Sequence, residues 1–283
     1  MNAIQVKNLT KRYGDLTAVN HISFEVEKGT MLGFLGVNGA GKTTAINMLS
    51  TLITPDEGQV EICGQMLGKE NESIRKKIGI VYQQNYLDNV MTVRENLMCR
   101  GIIHGVSKKE AKRQCDKLTE ILKLEDILDR RYKLLSGGQK RRSEIAAALM
   151  HTPEILFLDE PTTGLDPATR QDVWEIVNSL QKKEEMTVFL TTHYMEEAAG
   201  ADKIIIMDKG NIITSGTPFE LKERYAKDKV KLFYKDGQIK EIALKKTLDA
   251  LGIVEKEKEF LQGFEVIQGN MDDVFLNAVG TSL

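Results

Sequence analysis

Apolar side chains recur through Ile4, Val6 and Leu9 and again through Ile22, Phe24 and Val26, close to the period of two expected of strands with one covered face. Gly14-Asp15 lies in the polar stretch between them and predicts a hairpin. Other apolar segments are unbroken, at 31–35, 78–82, 155–158 and 187–190. Runs this short, with no polar alternation, predict strands buried on both faces, as in a parallel sheet. Between them the spacing turns helical, at Ala45, Ile46, Met48 and Leu49 and again at Trp174, Ile176, Val177 and Leu180. Strand and helix in alternation predict an α/β fold. Residues 59–62, after the turn Pro55-Asp56-Glu57-Gly58, predict a further strand with one wet face.

From Thr92 to about Met150 the strand signals thin out. Thr92 with Glu95, and Ser107 with Glu110, have the spacing of capping boxes, the second ahead of a helix through Leu118, Ile121 and Leu122. A third helix is expected over 140–150. This block reads as an inserted helical subdomain, about 85–150. Residues 203–207 and 211–214 predict a hairpin around Asp208-Lys209-Gly210-Asn211, and Pro218 opens a helix to about Tyr225. These close a first domain, 1–226. Beyond Lys227, Val230, Leu232 and Tyr234 alternate, Gly237 turns the chain, and 263–267 reads as a strand. Asn270 stands at the start of a last helix with Asp272 and Asp273 in its first turn, so 227–283 is expected to be a small α/β appendage.

With 39 Lys and Arg against 41 Asp and Glu, the formal charge of −2 argues against a protein that holds nucleic acid by neutralising many phosphates. No apolar run approaches the roughly 20 residues of a membrane helix, and the first residues lack the basic-then-apolar order of a secretion signal. A cytosolic chain that does not itself cross the bilayer is expected. Cys63, Cys99 and Cys115 are odd in number and widely spaced, and read as reduced packing residues rather than metal ligands.

The chemistry centres on Gly36-Val37-Asn38-Gly39-Ala40-Gly41-Lys42-Thr43-Thr44, which fits G-x-x-x-x-G-K-[ST] between a buried strand and a helix. Glycines let successive backbone N–H groups curl round an anion, and the helix adds its unpaired N–H groups and positive dipole end. Lys42 is expected on the β- and γ-phosphates of a nucleotide and the Thr43 hydroxyl on its Mg²⁺. The strand over 155–158 ends in Asp159-Glu160, and in a phosphate-loop fold the first of these completes the Mg²⁺ shell. Adjacent residues of an extended chain point opposite ways, so Asp159 is assigned to metal and Glu160 to a water, as base.

Leu135-Ser136-Gly137-Gly138-Gln139 opens a helix with small residues, either a second anion-binding helix end or a flexible loop with a serine cap. Asp166-Pro167 has the form of an N-cap followed by proline at the first helical position. Tyr13 beside the hairpin either covers a sheet edge or offers a face to a base. Gln83-Gln84 emerge from an apolar run, as ligand-reaching groups or as surface glutamines. His193, after Thr191-Thr192, lacks zinc-site spacing to Glu196 and Glu197, and Trp174 reads as core.

In this order, the phosphate loop, LSGGQ, ILFLDE, GLD and TTH resemble the nucleotide-binding domain of ABC transporters, over about residues 2 to 226. The resemblance implies a phosphate-loop NTPase fold, with a RecA-like core sheet, an antiparallel β subdomain and the helical insertion. It implies ATP and Mg²⁺ as cofactors, and a head-to-tail dimer in which Ser136, Gly137, Gly138 and Gln139 meet the γ-phosphate on a second subunit's loop. Tyr13 matches the adenine-stacking aromatic, Gln83 the glutamine touching Mg²⁺, Glu160 the base, His193 the γ-phosphate contact and Asp166 the dimer-contact aspartate. Val37, where proline is frequent, and Thr163, where serine is frequent, depart from the pattern without removing a phosphate donor. Thr92-Val93-Arg94-Glu95-Asn96-Leu97, TTHYMEEA at 191–198 and MDDVFL at 271–276 are similar to the drug-resistance and ABC-2-type exporter branch. The implied partners are a second ATPase chain and a separately encoded membrane permease, with the chain peripheral on the cytoplasmic face. Import, or mechanical work on nucleic acid or ribosomes, are the competing functions.

Overall fold

The computed structural model describes residues 1–244 and 246–280. The chain opens with a hairpin of two long strands, β1 (Asn2–Tyr13) and β2 (Leu16–Glu27), followed by β3 (Met31–Leu35) and α1 (Lys42–Leu49). Then come β4 (Glu57–Ile62), β5 (Gln65–Met66), α2 (Asn71–Lys77) and β6 (Ile78–Val81). The helical insertion holds α3 (Val93–Ile103), α4 (Lys108–Ile121) and α5 (Gly137–Ala148). The core resumes with β7 (Ile155–Asp159), α6 (Pro167–Lys183), β8 (Thr187–Thr192), the hairpin β9 (Lys203–Asp208) and β10 (Asn211–Gly216), and α7 (Pro218–Tyr225).

The central sheet has the order β10-β9-β3-β8-β7-β6, parallel except for β10. Every residue of β3, β7 and β8 is buried, because helices of the insertion and α6 cover one face while α1 and a second sheet cover the other. That second sheet, β2-β1-β4-β5, is antiparallel. Its apolar face meets the central sheet at an aromatic cluster, where Phe34 lies 5.3 Å from Phe189 and 5.6 Å from Phe24 between ring centres. Tilted rings at such spacing fill the gap between the two sheets.

The chain departs from the sequence expectations at particular places. The opening strands run 12 residues each instead of being short, since their register shifts keep both in pairing through β-bulges. Both β5 and α2 are additions, β5 too short to announce itself and α2 with a single buried apolar residue, Ile74. Thr92 forms the full capping box with Glu95, but Ser107 forms half of one. Its hydroxyl accepts from the Glu110 N–H, while the Glu110 carboxylate takes the Ser107 hydroxyl rather than the Ser107 N–H. The helix expected over 140–150 starts three residues earlier, because Ser136 is its N-cap and Gln139 completes the box. Trp174 is partly buried and packs against the main core at its margin, whereas Cys99 is exposed and does not fill the packing role expected of it.

After α7, β11 (Lys229–Tyr234), β12 (Ile239–Ala243), α8 (Asp249–Glu257) and β13 (Leu261–Ile267) build a three-stranded antiparallel sheet, order β12-β11-β13, over a small core of Val230, Leu232, Leu244 and Ala250. The last helix, α9 (Met271–Gly280), does not stay with that sheet. Its Met271, Val274, Phe275 and Ala278 are buried in the main core, beside Leu221 of α7 and Met195 of the 3-10 turn Met195–Gly200. Residue 245 and residues 281–283, at the end of the expected appendage, lie outside the described residues.

Candidate nucleotide site

The loop between β3 and α1 opens onto a cleft of 600 Å³ walled by Tyr13, Asn38, Gly39, Gly41, Lys42, Thr43, Thr44, Gln83 and Glu160 and closed on one side by Lys209 and Gly210. Gly36 and Ala40 belong to the loop but stand behind it, where Ala40 accepts from the Gly210 N–H at 3.1 Å. Gly41 shows why the turn admits no side chain. Its φ is 105°, and a Cβ there would fall 2.2 Å from the Ala18 carbonyl oxygen. Tyr13 is half exposed at the mouth, with the Lys11 ammonium 5.7 Å from its ring centre.

Lys42 is buried and folds back, its Nζ donating to the Gly36 and Val37 carbonyls at 2.8 and 3.1 Å. Burial depresses its pKa, and the Glu160 carboxylate, 3.5 Å from Nζ, works the other way. The buried Asp159 takes the Thr191 hydroxyl at 2.6 Å and stands 3.5 Å from that of Thr43. Burial raises its pKa, so it holds its proton more firmly than an ordinary aspartate.

Glu160 is the hub. Its Oε2 lies 3.1 Å from His193 Nδ1, 3.3 Å from Gln83 Nε2 and 3.2 Å from the Thr163 hydroxyl, while Oε1 faces Lys42. The assumption that Asp159 and Glu160 diverge on an extended chain is corrected here. Glu160 sits in the left-handed region, φ 46°, its N–H donating to the Thr191 carbonyl and hydroxyl, and that kink turns both carboxylates toward the loop.

The structure thus gathers the phosphate loop, Tyr13, Gln83, Asp159, Glu160 and His193. It keeps Ser136, Gly137, Gly138, Gln139 and Asp166 elsewhere: none of them lines the cleft. Ser136 and Gly137 are exposed, and the neighbouring Gly138 lets the start of α5 seat on α6, since a Cβ there would lie 2.1 Å from Thr169 Cγ2. Asp166 caps α6 through the Thr169 N–H and hydroxyl, bonds that lower its pKa.

Sequence reasoning missed the supports. Buried Arg141 donates to the carbonyls of Tyr82 and Gln83 at 2.7 and 3.1 Å, and buried Glu144 accepts from the N–H groups of Tyr86 and Leu87 and from the Tyr132 hydroxyl. Two side chains of α5 therefore hold the strand end carrying Gln83. Their signal was a charged pair at i and i+3 on the buried face of a helix. Thr163 and Thr191 gave none, being ordinary threonines until the fold turns them onto the carboxylates.

A parallel sheet with a glycine loop leading into a helix, a buried lysine, and two carboxylates at the end of the second strand over defines a phosphate-loop ATPase. The fit is specific: a Cβ-free cradle beside a cation held only by carbonyls and one carboxylate suits a polyphosphate, and a buried acid beside a threonine hydroxyl suits a divalent cation. The chain belongs to the ABC transporter family, whose sequence model matches residues 19–163. It is an ATP-binding transporter subunit that hydrolyses ATP. It is 42% identical over 239 residues to the daunorubicin resistance ATP-binding protein DrrA3 of Streptomyces coeruleorubidus, covering 84% of this chain and 75% of that one. It is also 42% identical to the linearmycin resistance ATP-binding protein LnrL of Bacillus subtilis (strain 168), over 80% of this chain and 73% of the other. Among solved structures it is similar to the ATP-binding cassette MJ0796 in a dimeric post-hydrolysis state bound to ADP and Pi, with TM-score 0.69, 28% identity, and coverage of 76% of this chain and 98% of that one.

Proposed function

We propose that the chain powers export of a substrate through a separate membrane permease, working from the cytoplasmic face as a head-to-tail pair that encloses two ATP molecules. The observation that carries the pairing is the exposure of Ser136 and Gly137 at a helix start that takes no part in lining the chain's own cleft. Such an end has N–H groups for an anion and none within reach in its own subunit's site. Export, rather than import, is supported by relatives named for daunorubicin and linearmycin resistance and for Nod factor export. Among the described residues no helix is long and apolar enough to cross a membrane, in keeping with a permease on another chain.

Within the site, Lys42 and the loop N–H groups hold the phosphates, and Tyr13 offers its exposed ring to the base. Thr43, Asp159 and Gln83 would hold Mg²⁺, which supplies positive charge to the phosphate oxygens. Glu160 takes the proton of the attacking water, and His193 and Gln83, both on its Oε2, fix the carboxylate's direction. Glu160→Gln should lower hydrolysis about a hundredfold or more while ATP still binds. With ATP the variant should run as a dimer in size-exclusion chromatography with light scattering. A monomer that hydrolyses ATP at the parent rate would overturn the assignment.

A further inference from the structure

One buried carboxylate near the site lines no part of the cleft. Glu197, on the turn after His193, has a side chain only 5% exposed. Its two oxygens reach in different directions. Oε1 accepts the hydroxyl of Thr162, two residues past Glu160, and Oε2 accepts the hydroxyl of Thr192, the residue before His193, at 2.7 Å. Both threonines are buried. The Arg170 guanidinium of α6 supplies the counter-charge, its Nε 3.5 Å from Oε1. That guanidinium also lies 4.2 Å over the ring of Tyr194, and Tyr194 packs 4.1 Å from the ring of His193.

We infer that Glu197 is a positioning residue for ATP hydrolysis, setting the separation and orientation of Glu160 and His193. A carboxylate accepts from two hydroxyls at once through rigidly spaced oxygens, so it ties the loop after β7 to the end of β8 at a fixed distance. It reaches His193 by two routes, through the backbone at Thr192 and through the stack of Arg170 on Tyr194. Both oxygens are hydrogen-bonded and the Arg170 guanidinium approaches Oε1, which offsets part of the cost of burying the charge. The chemistry needs that stiffness. Glu160 bonds His193 and Gln83 with the same oxygen, so a small parting of the two loops separates base and imidazole before it disturbs phosphate binding.

The inference rests on the reading that Glu160 and His193 act on the phosphate and its water, and the two fail separately. If Glu160→Gln leaves hydrolysis intact, that reading falls. If Glu160→Gln is inactive while the variants below hydrolyse normally, only the role of Glu197 falls. Glu197→Gln removes the charge facing Arg170, and Glu197→Asp shortens the span by one methylene. In steady-state kinetics of the full chain, each should lower kcat about tenfold to a hundredfold, with the KM for ATP close to the parent value. Thr162→Val removes one tie and Thr192→Val removes the other, together with the bond that the Thr192 hydroxyl accepts from the Tyr194 N–H, and both leave the ion pair, so they carry the test even where a Glu197 variant folds poorly. They should lower kcat without raising KM, and added to Glu197→Gln they should cause little further loss. Unchanged kcat in the threonine variants, a rise in KM matching the fall in kcat, or losses that multiply would each overturn the inference.

Discussion

His151 carries a charge state decided by its surroundings rather than its type. Its ring stacks on His104 with centres 4.1 Å apart, its Nε2 donates to the Ile78 carbonyl at 2.9 Å, and its buried Nδ1 has no partner among the described residues. Burial, aided by the neighbouring imidazole, pushes its pKa down to about 4. In the unfolded chain the ring takes a proton near the usual 6.5. Between those two values the unfolded state binds more protons than the folded one, so stability is lost as pH falls from 6.5 toward 4. The shift corresponds to up to ~3 kcal/mol, a large part of a typical folding free energy. His151→Gln keeps a donor for Ile78 and does not titrate. Urea melts of the two proteins at pH 7 and pH 4.5 should therefore show a smaller acid loss in the variant; equal losses would mean that the folded ring is protonated as easily as a free one.

At the scale of elements, α9 has the most consequence for its size. Residues 229–267 form a sheet with its own small core, yet the chain leaves and re-enters the main body at one point, where Gly269 packs so closely on Ala226 that a Cβ would lie 2.3 Å from its carbonyl oxygen. The Glu196 carboxylate then accepts the Met271 N–H at 2.8 Å, fastening the start of α9 to the turn that follows His193. A chain cut after Ala226 loses the burial of Met271, Val274 and Phe275, about 2 kcal/mol for each large side chain. A chain from which 228–268 are excised and replaced by a short glycine linker keeps them. Thermal melts should place the truncated chain well below the excised one; equal melting points would show that α9 contributes nothing to the core. The placement of α9 was not legible, because a helix with an apolar stripe does not say which core it joins. The box that Ser136 makes with Gln139 went unread and the start of α5 was placed too late, whereas the capping box at Thr92 and the proline start of α6 were legible, since caps act within four residues. So was the phosphate loop. The kink at Glu160 was not, because nothing local to a glutamate asks for a left-handed backbone; the Thr191 carbonyl and hydroxyl impose it from the next strand.

For the molecule as a whole, the loop site and the helix start at Ser136 cannot be judged from one copy, because each is exposed where the other is absent. In the proposed pair, a nucleotide sits between Lys42 of one copy and Ser136 of the other, and a twofold axis makes the two sites equivalent. That arrangement separates two classes of defect. Lys42→Ala disables the loop, and Ser136→Arg fills the space at the helix start while costing about 1 kcal/mol of capping. Each should be nearly inactive alone. When the two are mixed, a hybrid pair collects both defects in one site and leaves the other with an intact loop and an intact helix start. Random pairing gives hybrids in half of the dimers, so about a quarter of all sites are restored. Mixing the two purified variants in equal amounts should therefore raise ATPase activity above either alone, in a manner that weakens on dilution as the pairs dissociate. If Ser136 instead served the loop of its own chain, every site in the mixture would carry one lesion or the other, and mixing would restore nothing.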